Sequence, residues 1–414
     1  MSKEDNQPAP MPKKIEVEDS YLKRVARPLR HVKFIPTKAL VFQTKTGPVD
    51  FTYENKIKTP IGSSKLVVDV RYVGLNPVDL MIKNGYNQQG FYGEIGLGRE
   101  YFGVISDIGS KLESDNRWKI GDEVMGIYYH PHIGYGSLQT SILVDPKQDP
   151  LVLKPENVTM PEAGGSLFCL ASAFEILEKL NSLKKLTPNA NILINGGTSS
   201  VGLFALQLLK NYYHIVSKVT IVTSGTGPKV IKQHMPGFEK DFIFIDYLAC
   251  RGKASKPLLK LLEDNTYTYF DEENGTESIE NYSQGKYDIV LDFIGGYDIL
   301  SQSQSLIHSG GHYVTTVGDY VADYKTDVFE HWDNPSASAR KMFGNILWSY
   351  NYTHYKFDPN GKTELIEKCA ELLGKRYVKC IVDNVYDWKD YKEAFNYMKL
   401  QRAQGKLILK VEKF

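Results

Sequence analysis

The feature that most restricts the fold of this chain is a short apolar strand, Asn191-Ile192-Leu193-Ile194. It runs into Gly196-Gly197-Thr198-Ser199-Ser200-Val201-Gly202 and then into the mostly apolar helix LFALQLLKNYY. Strand, glycine turn and helix in that order form the first unit of a nucleotide-binding βαβ fold. Small residues let the backbone approach a pyrophosphate, and the N–H groups at the helix start attract the anion. Gly196, Gly197, Thr198, Ser199, Ser200, Val201 and Gly202 are therefore the candidate phosphate turn. Ser199 holds the middle glycine position, where its side chain either crowds a cofactor or donates a hydrogen bond to it. The pattern also admits a tight turn kept in a fold that no longer binds dinucleotide.

Further strands follow at KVTIVTSG, DFIFIDY, YDIVLDFIGG and HYVTTVG. Their near-continuous apolar character predicts a parallel sheet covered on both faces, an α/β, doubly wound, Rossmann-type domain. Between the third and fourth strands the spacing predicts a helix over 256–264 and a solvent-exposed insertion carrying Asp271, Glu272 and Glu273. An NAD site normally places an acid at the end of the second strand, to receive the ribose 2′-hydroxyl. Here that end reads Thr223-Ser224-Gly225-Thr226. A 2′-phosphate is then tolerated better, so NADPH is the favoured nucleotide if one binds. Lys229 is either its cation or a surface lysine, and Ser224 and Tyr247 complete the candidate cofactor set.

Before this unit, KALVFQT, KLVVDVRYVGL, YFGVISDIG, DEVMGIYY and LQTSILVD are short β-branched and aromatic runs separated by turn residues, which predict a mostly antiparallel β domain. A bridging helix is expected over 161–184, and the last strand, GKLILKVEKF, is expected to return to the β domain. After KLVVDVRYVGL, Asn76-Pro77-Val78-Asp79 puts short polar groups beside a proline that biases the backbone away from helix. Asn76 is the candidate to orient a carbonyl substrate or a nicotinamide amide, and Asp79 is a candidate cap. Tyr86 is the candidate phenolic proton donor. Gly98-Arg99-Glu100 and Gly121-Asp122-Glu123 read as glycine-marked β turns.

Lys plus Arg number 50 against 49 Asp plus Glu, a formal charge of +1, so no global field draws nucleic acid. Cys169, Cys250, Cys369 and Cys380 match no zinc or thiol-redox spacing, and His130 and His132 have no cysteine near them, so no metal is expected. Residues 1–20 are polar and proline-rich and read as a flexible tail. The following segment sets Lys23, Arg24, Arg27, Arg30 and Lys33 among apolar residues, either as a solvated lead-in or as a contact for an anionic lipid surface. No run reaches the roughly 18 apolar residues of a membrane span, and the start lacks a secretory core, so a cytoplasmic protein is expected.

From Lys38 to Val411 the chain resembles the medium-chain dehydrogenase/reductase superfamily, in its zinc-free quinone oxidoreductase-like branch. Asn76-Pro77-Val78-Asp79 with Gly85 is similar to that family's N-P-x-D turn, and GGTSSVG to its G-A-S-G-G-V-G. Tyr287 to Asp292 with Gly295 resembles its f-D-v-V-l-D-x-x-G strand, and Gly405-Lys406 its terminal G-K strand. Asn76 and Gly98-Arg99-Glu100 stand where zinc enzymes carry a ligand cysteine and Gly-His-Glu. Met81 stands where active quinone reductases often carry tyrosine.

The resemblance implies a GroES-like β-rich domain over 34–160 with 350–414. It implies a Rossmann-type domain over 161–349 with an insertion near 252–286, and an N-terminal extension over 1–33. It implies a zinc-independent, NADPH-dependent reductase passing hydride to a quinone or α,β-unsaturated carbonyl, and a homodimer joined through the sheet edge after the fifth strand. The long N-terminus, the Arg-Pro-Leu-Arg-His segment and the insertion are also similar to the fungal AST proteins. That resemblance implies the alternative, a weakly catalytic or non-catalytic peripheral membrane factor that helps target the plasma-membrane proton ATPase.

Overall fold

The computed structural model describes residues 32–86, 93–271, 275–329 and 335–412. The basic segment around Arg24, Arg27 and Arg30, and Glu272 and Glu273, lie outside these residues.

Near-continuous apolar runs build one parallel sheet of six strands. In spatial order these are Phe242–Asp246, Val219–Thr223, Ile192–Asn195, Tyr287–Asp292, Ile307–Thr315 and Asn351–His354. Ile192 stands opposite Val219 on one side and Ile289 on the other. Ile192–Asn195 and Val219–Thr223 are buried at every position, because helices cover both faces. The strand order reverses between Ile192–Asn195 and Tyr287–Asp292. The glycine turn after the former and Gly295-Gly296 after the latter therefore stand side by side at this switch point, where folds of this kind take their ligands.

Two features differ from the sequence expectation. The chain around 266–281 forms an antiparallel hairpin, Thr266–Asp271 with Thr276–Asn281, after the helix Ser255–Asp264. Tyr267 and Glu280 hydrogen-bond across it, and the Lys218 ammonium reaches Glu280 at 3.3 Å and lies over the Tyr267 ring. The insertion is thus tied to the start of the second sheet strand. The second difference concerns residue 350, where the sequence places a domain boundary. Asn351–His354 instead extends the parallel sheet, with Tyr352 opposite Tyr313. The two tyrosine rings stack at 5.9 Å, so aromatic packing holds this strand on the sheet edge.

The other sheet is mainly antiparallel and centres on Leu66–Gly74, flanked by Glu100–Ile108, Ser141–Val144 and the final strand Lys406–Lys410. Only Val382–Asp387 runs parallel, beside that final strand. Two helices, Met160–Gly165 and Leu167–Ser182, connect the sheets. The first opens on a capping box in which the Glu162 carboxylate accepts from the Thr159 backbone N–H at 2.9 Å. Among the described residues no helix is long and apolar enough to cross a membrane.

The glycine turn is packed to its limit. Gly196 has φ of 85°, and a Cβ on Gly202 would stand 2.3 Å from the Gly196 carbonyl oxygen. Gly202→Ala is expected to lower unfolding free energy by about 1–3 kcal/mol, as overpacking does. Urea denaturation should show this as a lower midpoint with an unchanged slope.

Candidate dinucleotide cleft

Each polar side chain of the glycine turn is engaged. Thr198 Oγ1 lies 2.6 Å from Thr223 Oγ1 and pins the turn to the second strand. Ser199 is the N-cap of the helix Ser200–Gln207, its hydroxyl oxygen accepting from Gly202 N–H at 3.1 Å. Its side chain is therefore folded onto the helix start. Ser200 donates across to the other domain, to the Gly405 carbonyl at 2.8 Å. Val201 packs half-buried on the core. Beside the turn, Asp292 accepts from Asn195 at 2.8 Å, Gly295 N–H at 2.9 Å and the Tyr313 hydroxyl at 2.7 Å. Burial raises the Asp292 carboxyl above its ordinary range, and these donors oppose the rise. The positive φ at Gly196 and the close approach of Gly202 to the Gly196 carbonyl form the tight strand–turn–helix at which folds of this kind hold the pyrophosphate of a dinucleotide. Such a cofactor would supply hydride from its nicotinamide.

At the end of the second strand, Ser224 Oγ lies 2.9 Å from Thr226 Oγ1, and the Gln404 amide donates to both, at 3.2 and 2.6 Å. Lys229 is exposed on the helix Gly227–His234, and Tyr247 is partly exposed, its N–H on the Thr223 carbonyl at 3.0 Å. One group at this end escapes a strand-by-strand reading of the sequence. Asp246 ends the third strand, and a Cβ on Gly225 would lie 2.8 Å from its Oδ2. Only the parallel register, with Thr223 opposite Asp246, brings that carboxylate to the end of the second strand.

Asn76 sits in a buried polar network and is 2% exposed. Its Oδ1 accepts from the Lys406 ammonium at 2.6 Å, while its Nδ2 donates to Glu100 at 2.9 Å and to the Gly74 carbonyl at 3.3 Å. Lys406 also pairs with Glu100 at 2.7 Å and donates to the Cys169 sulfur at 3.4 Å. The second Glu100 oxygen accepts from Phe168 N–H at 3.0 Å, capping the start of the bridging helix. Burial disfavours charge on Lys406, but Cys169 and Glu100 hold its pKa above the ordinary lysine range. Burial also pushes the Cys169 thiol up, against the pull of Lys406.

Asp79, fully buried, accepts from the backbone of Asn76 at 3.1 Å and of Gly98 at 2.9 Å, and pairs with Arg99 at 3.3 Å. Burial raises its carboxyl, opposed by Arg99. The capping role expected of Asp79 is present, extended to the next loop. Arg99 fastens that loop, donating to the carbonyls of Tyr135 at 2.7 Å and Gly96 at 2.9 Å.

Tyr86 lies apart from Asn76 in its hydrogen bonding, donating to the Gly93 carbonyl at 3.1 Å and meeting Phe42 edge-on. A segment that the sequence does not single out joins the two domains here. After the fifth parallel strand, Ala322 N–H donates to the Ile294 carbonyl at 3.2 Å. The carbonyls of Tyr324 and Asp327 then accept from Asn84, at 3.3 and 2.9 Å, and Phe329 N–H donates to the Met81 carbonyl at 2.9 Å. Residues 322–329 thus strap the switch-point side of the sheet to the helix Pro77–Asn84. His130 pairs with Asp149, and among the described residues no group of three or more His, Cys, Asp or Glu is placed to hold a metal ion.

Because Lys406 and Glu100 are both buried, Lys406→Met should cost about 3–5 kcal/mol by stranding a carboxylate. Lys406→Met with Glu100→Gln should recover part of this, measured by chemical denaturation.

Comparison with known proteins agrees with this geometry. Residues 62–156 match the model of the alcohol dehydrogenase GroES-like domain, and residues 266–409 match that of the zinc-binding dehydrogenase domain. The quinone oxidoreductase of Coxiella burnetii superposes with a TM-score of 0.64 at 19% identity, covering 91% of this chain and all of that one. Two Saccharomyces cerevisiae proteins are far nearer in sequence. Protein AST1 is 62% identical over 411 residues, 98% of this chain and 95% of its own, and Protein AST2 is 56% identical over 409 residues, 97% and 94%. The chain therefore belongs to the AST1 and AST2 family, within the zinc-independent, quinone oxidoreductase-like branch of the medium-chain dehydrogenase/reductase fold.

Proposed function

We propose that this protein is a peripheral membrane targeting factor built on a reductase fold. It assists delivery of the plasma-membrane proton ATPase and has weak catalytic capacity or none. The observation that carries this reading is the state of Asn76, the polar group best suited by sequence to orient a substrate. Its amide is buried, and both ends are committed to Lys406, Glu100 and Gly74. Tyr86, the candidate proton donor, directs its hydroxyl to Gly93. Hydride transfer gains from groups aimed at developing charge, and here the Asn76 amide is used to hold the fold. The fold itself is consistent with NAD(P)H-dependent reduction chemistry. A quinone or enone substrate, with pyrophosphate on the glycine turn, is the second reading, supported by the intact cradle at Gly196 and Gly202.

The test is complementation in S. cerevisiae cells lacking AST1 and AST2. Wild type should restore the proton ATPase at the cell surface. Val201→Asp, which sets a negative charge at the phosphate turn, should restore it equally when compared with wild type at matched levels of folded protein, checked by circular dichroism and immunoblot. Quinone and enone turnover by the purified protein should stay near the uncatalysed rate. Brisk turnover, with both turnover and complementation lost in Val201→Asp, would overturn the targeting reading.

The homodimer we propose joins the sheets through Asn351–His354, the edge strand of the six. On the helix Pro335–Leu347 beside it, Met342 is 72% exposed, Ile346 81% and Leu347 63%, the kind of apolar face that subunit contacts cover. Ile346→Glu should convert the dimer to a monomer in light scattering while leaving the melting temperature of the monomeric fold unchanged.

A further inference from the structure

We infer that Asp246 sets the nucleotide selectivity of this fold, admitting NAD(H) and opposing the 2′-phosphate of NADP(H). This reverses the preference read from the second strand alone, where Thr223-Ser224-Gly225-Thr226 carries no acid. Rossmann folds take the adenosine ribose at the carboxyl end of the second strand, where an acid receives the 2′-hydroxyl. Here the acid comes from the neighbouring strand. Parallel pairing sets Asp246 beside Thr223, and Oδ2 stands where a Cβ on Gly225 would be only 2.8 Å away. The other oxygen is fixed, because Asp246 Oδ1 accepts from Leu248 N–H at 2.8 Å. The carboxylate is thus oriented toward the second strand end, and no ion pair joins it to a cation among the described residues.

The groups hydrogen-bonded together at the end of the second strand are neutral. Ser224, Thr226 and the Gln404 amide form a hydrogen-bonded group that suits ribose hydroxyls. A phosphate dianion placed there would meet a carboxylate, and like charges at short range oppose binding. Lys229, the cation suggested by sequence, is exposed on the next helix. The inference concerns binding and holds whether or not the bound nucleotide is turned over.

The experiment is calorimetric titration of the full chain with NADH and with NADPH, at low and at high salt. NADH is expected to bind at least about tenfold more tightly at low salt, a ratio that narrows as salt screens the repulsion. Asp246→Asn keeps an acceptor for Leu248 N–H and should bring the two affinities within about threefold, mainly by improving NADPH. Equal or tighter binding of NADPH to the wild type would overturn the proposal, as would binding of neither nucleotide to the folded protein. A preference for NADH that survives Asp246→Asn would overturn the assignment to Asp246. Should that variant fail to fold, the salt dependence of the wild-type ratio decides: a ratio that does not move with salt is not set by a charge.

Discussion

The buried ion pair between Lys406 and Glu100 is the contact that ties the sheet of the β-rich domain to the turn at Asn76 and to the start of the bridging helix. Lys406 begins the last strand of the chain, Glu100 begins another strand of the same sheet, and both are removed from water. A pair in that environment survives only when its remaining donors and acceptors are satisfied. Asn76, Cys169 and the backbone of Phe168 supply those partners. The C-terminus, the N-P-V-D turn and the start of the bridging helix therefore meet at one point. Residues separated by 330 positions are held by a single ammonium.

That network also occupies the amide of Asn76 within a reductase-type fold. The turn that would face a substrate is rigid, but its polar atoms are turned toward Lys406 and Glu100. On the opposite side of the cleft the glycine turn retains the close packing a pyrophosphate needs, and Ser200 ties it to Gly405, next to Lys406. The strap over 322–329 then joins the sheet side to the Pro77–Asn84 helix. These last two connections join the domains on either side of the glycine turn, so a nucleotide held there would bear on how the domains are held. A ligand can thereby stabilise the protein by linkage without being consumed.

Much of this was legible because it depends on local chemistry. The glycine turn announces itself through Gly196, Gly197 and Gly202, and the parallel strands through uninterrupted apolar runs. The capping role of Asp79 follows from its position three residues after Asn76. The hairpin over 266–281 was less legible, since polar alternation in an insertion looks the same whether the chain is paired or solvated. Asn351–His354 fell beyond the boundary expected at 350 because a four-residue strand carries little pattern, and the stacking of Tyr352 on Tyr313 helps hold it on the parallel sheet.

What the sequence by itself determined is the order of elements, the place of the glycine turn and the family, since these follow from residue type and spacing along the chain. What only the tertiary structure decided is the use of the polar groups. Asn76 reads as a free amide until Lys406 is brought to it from the far end of the chain. Asp246 reads as the end of one strand until parallel register sets it beside Gly225, at the end of another. Hydrogen bonding and charge act over a few ångströms of space, and the spacing of residues along the chain does not fix which distant partner will occupy that space.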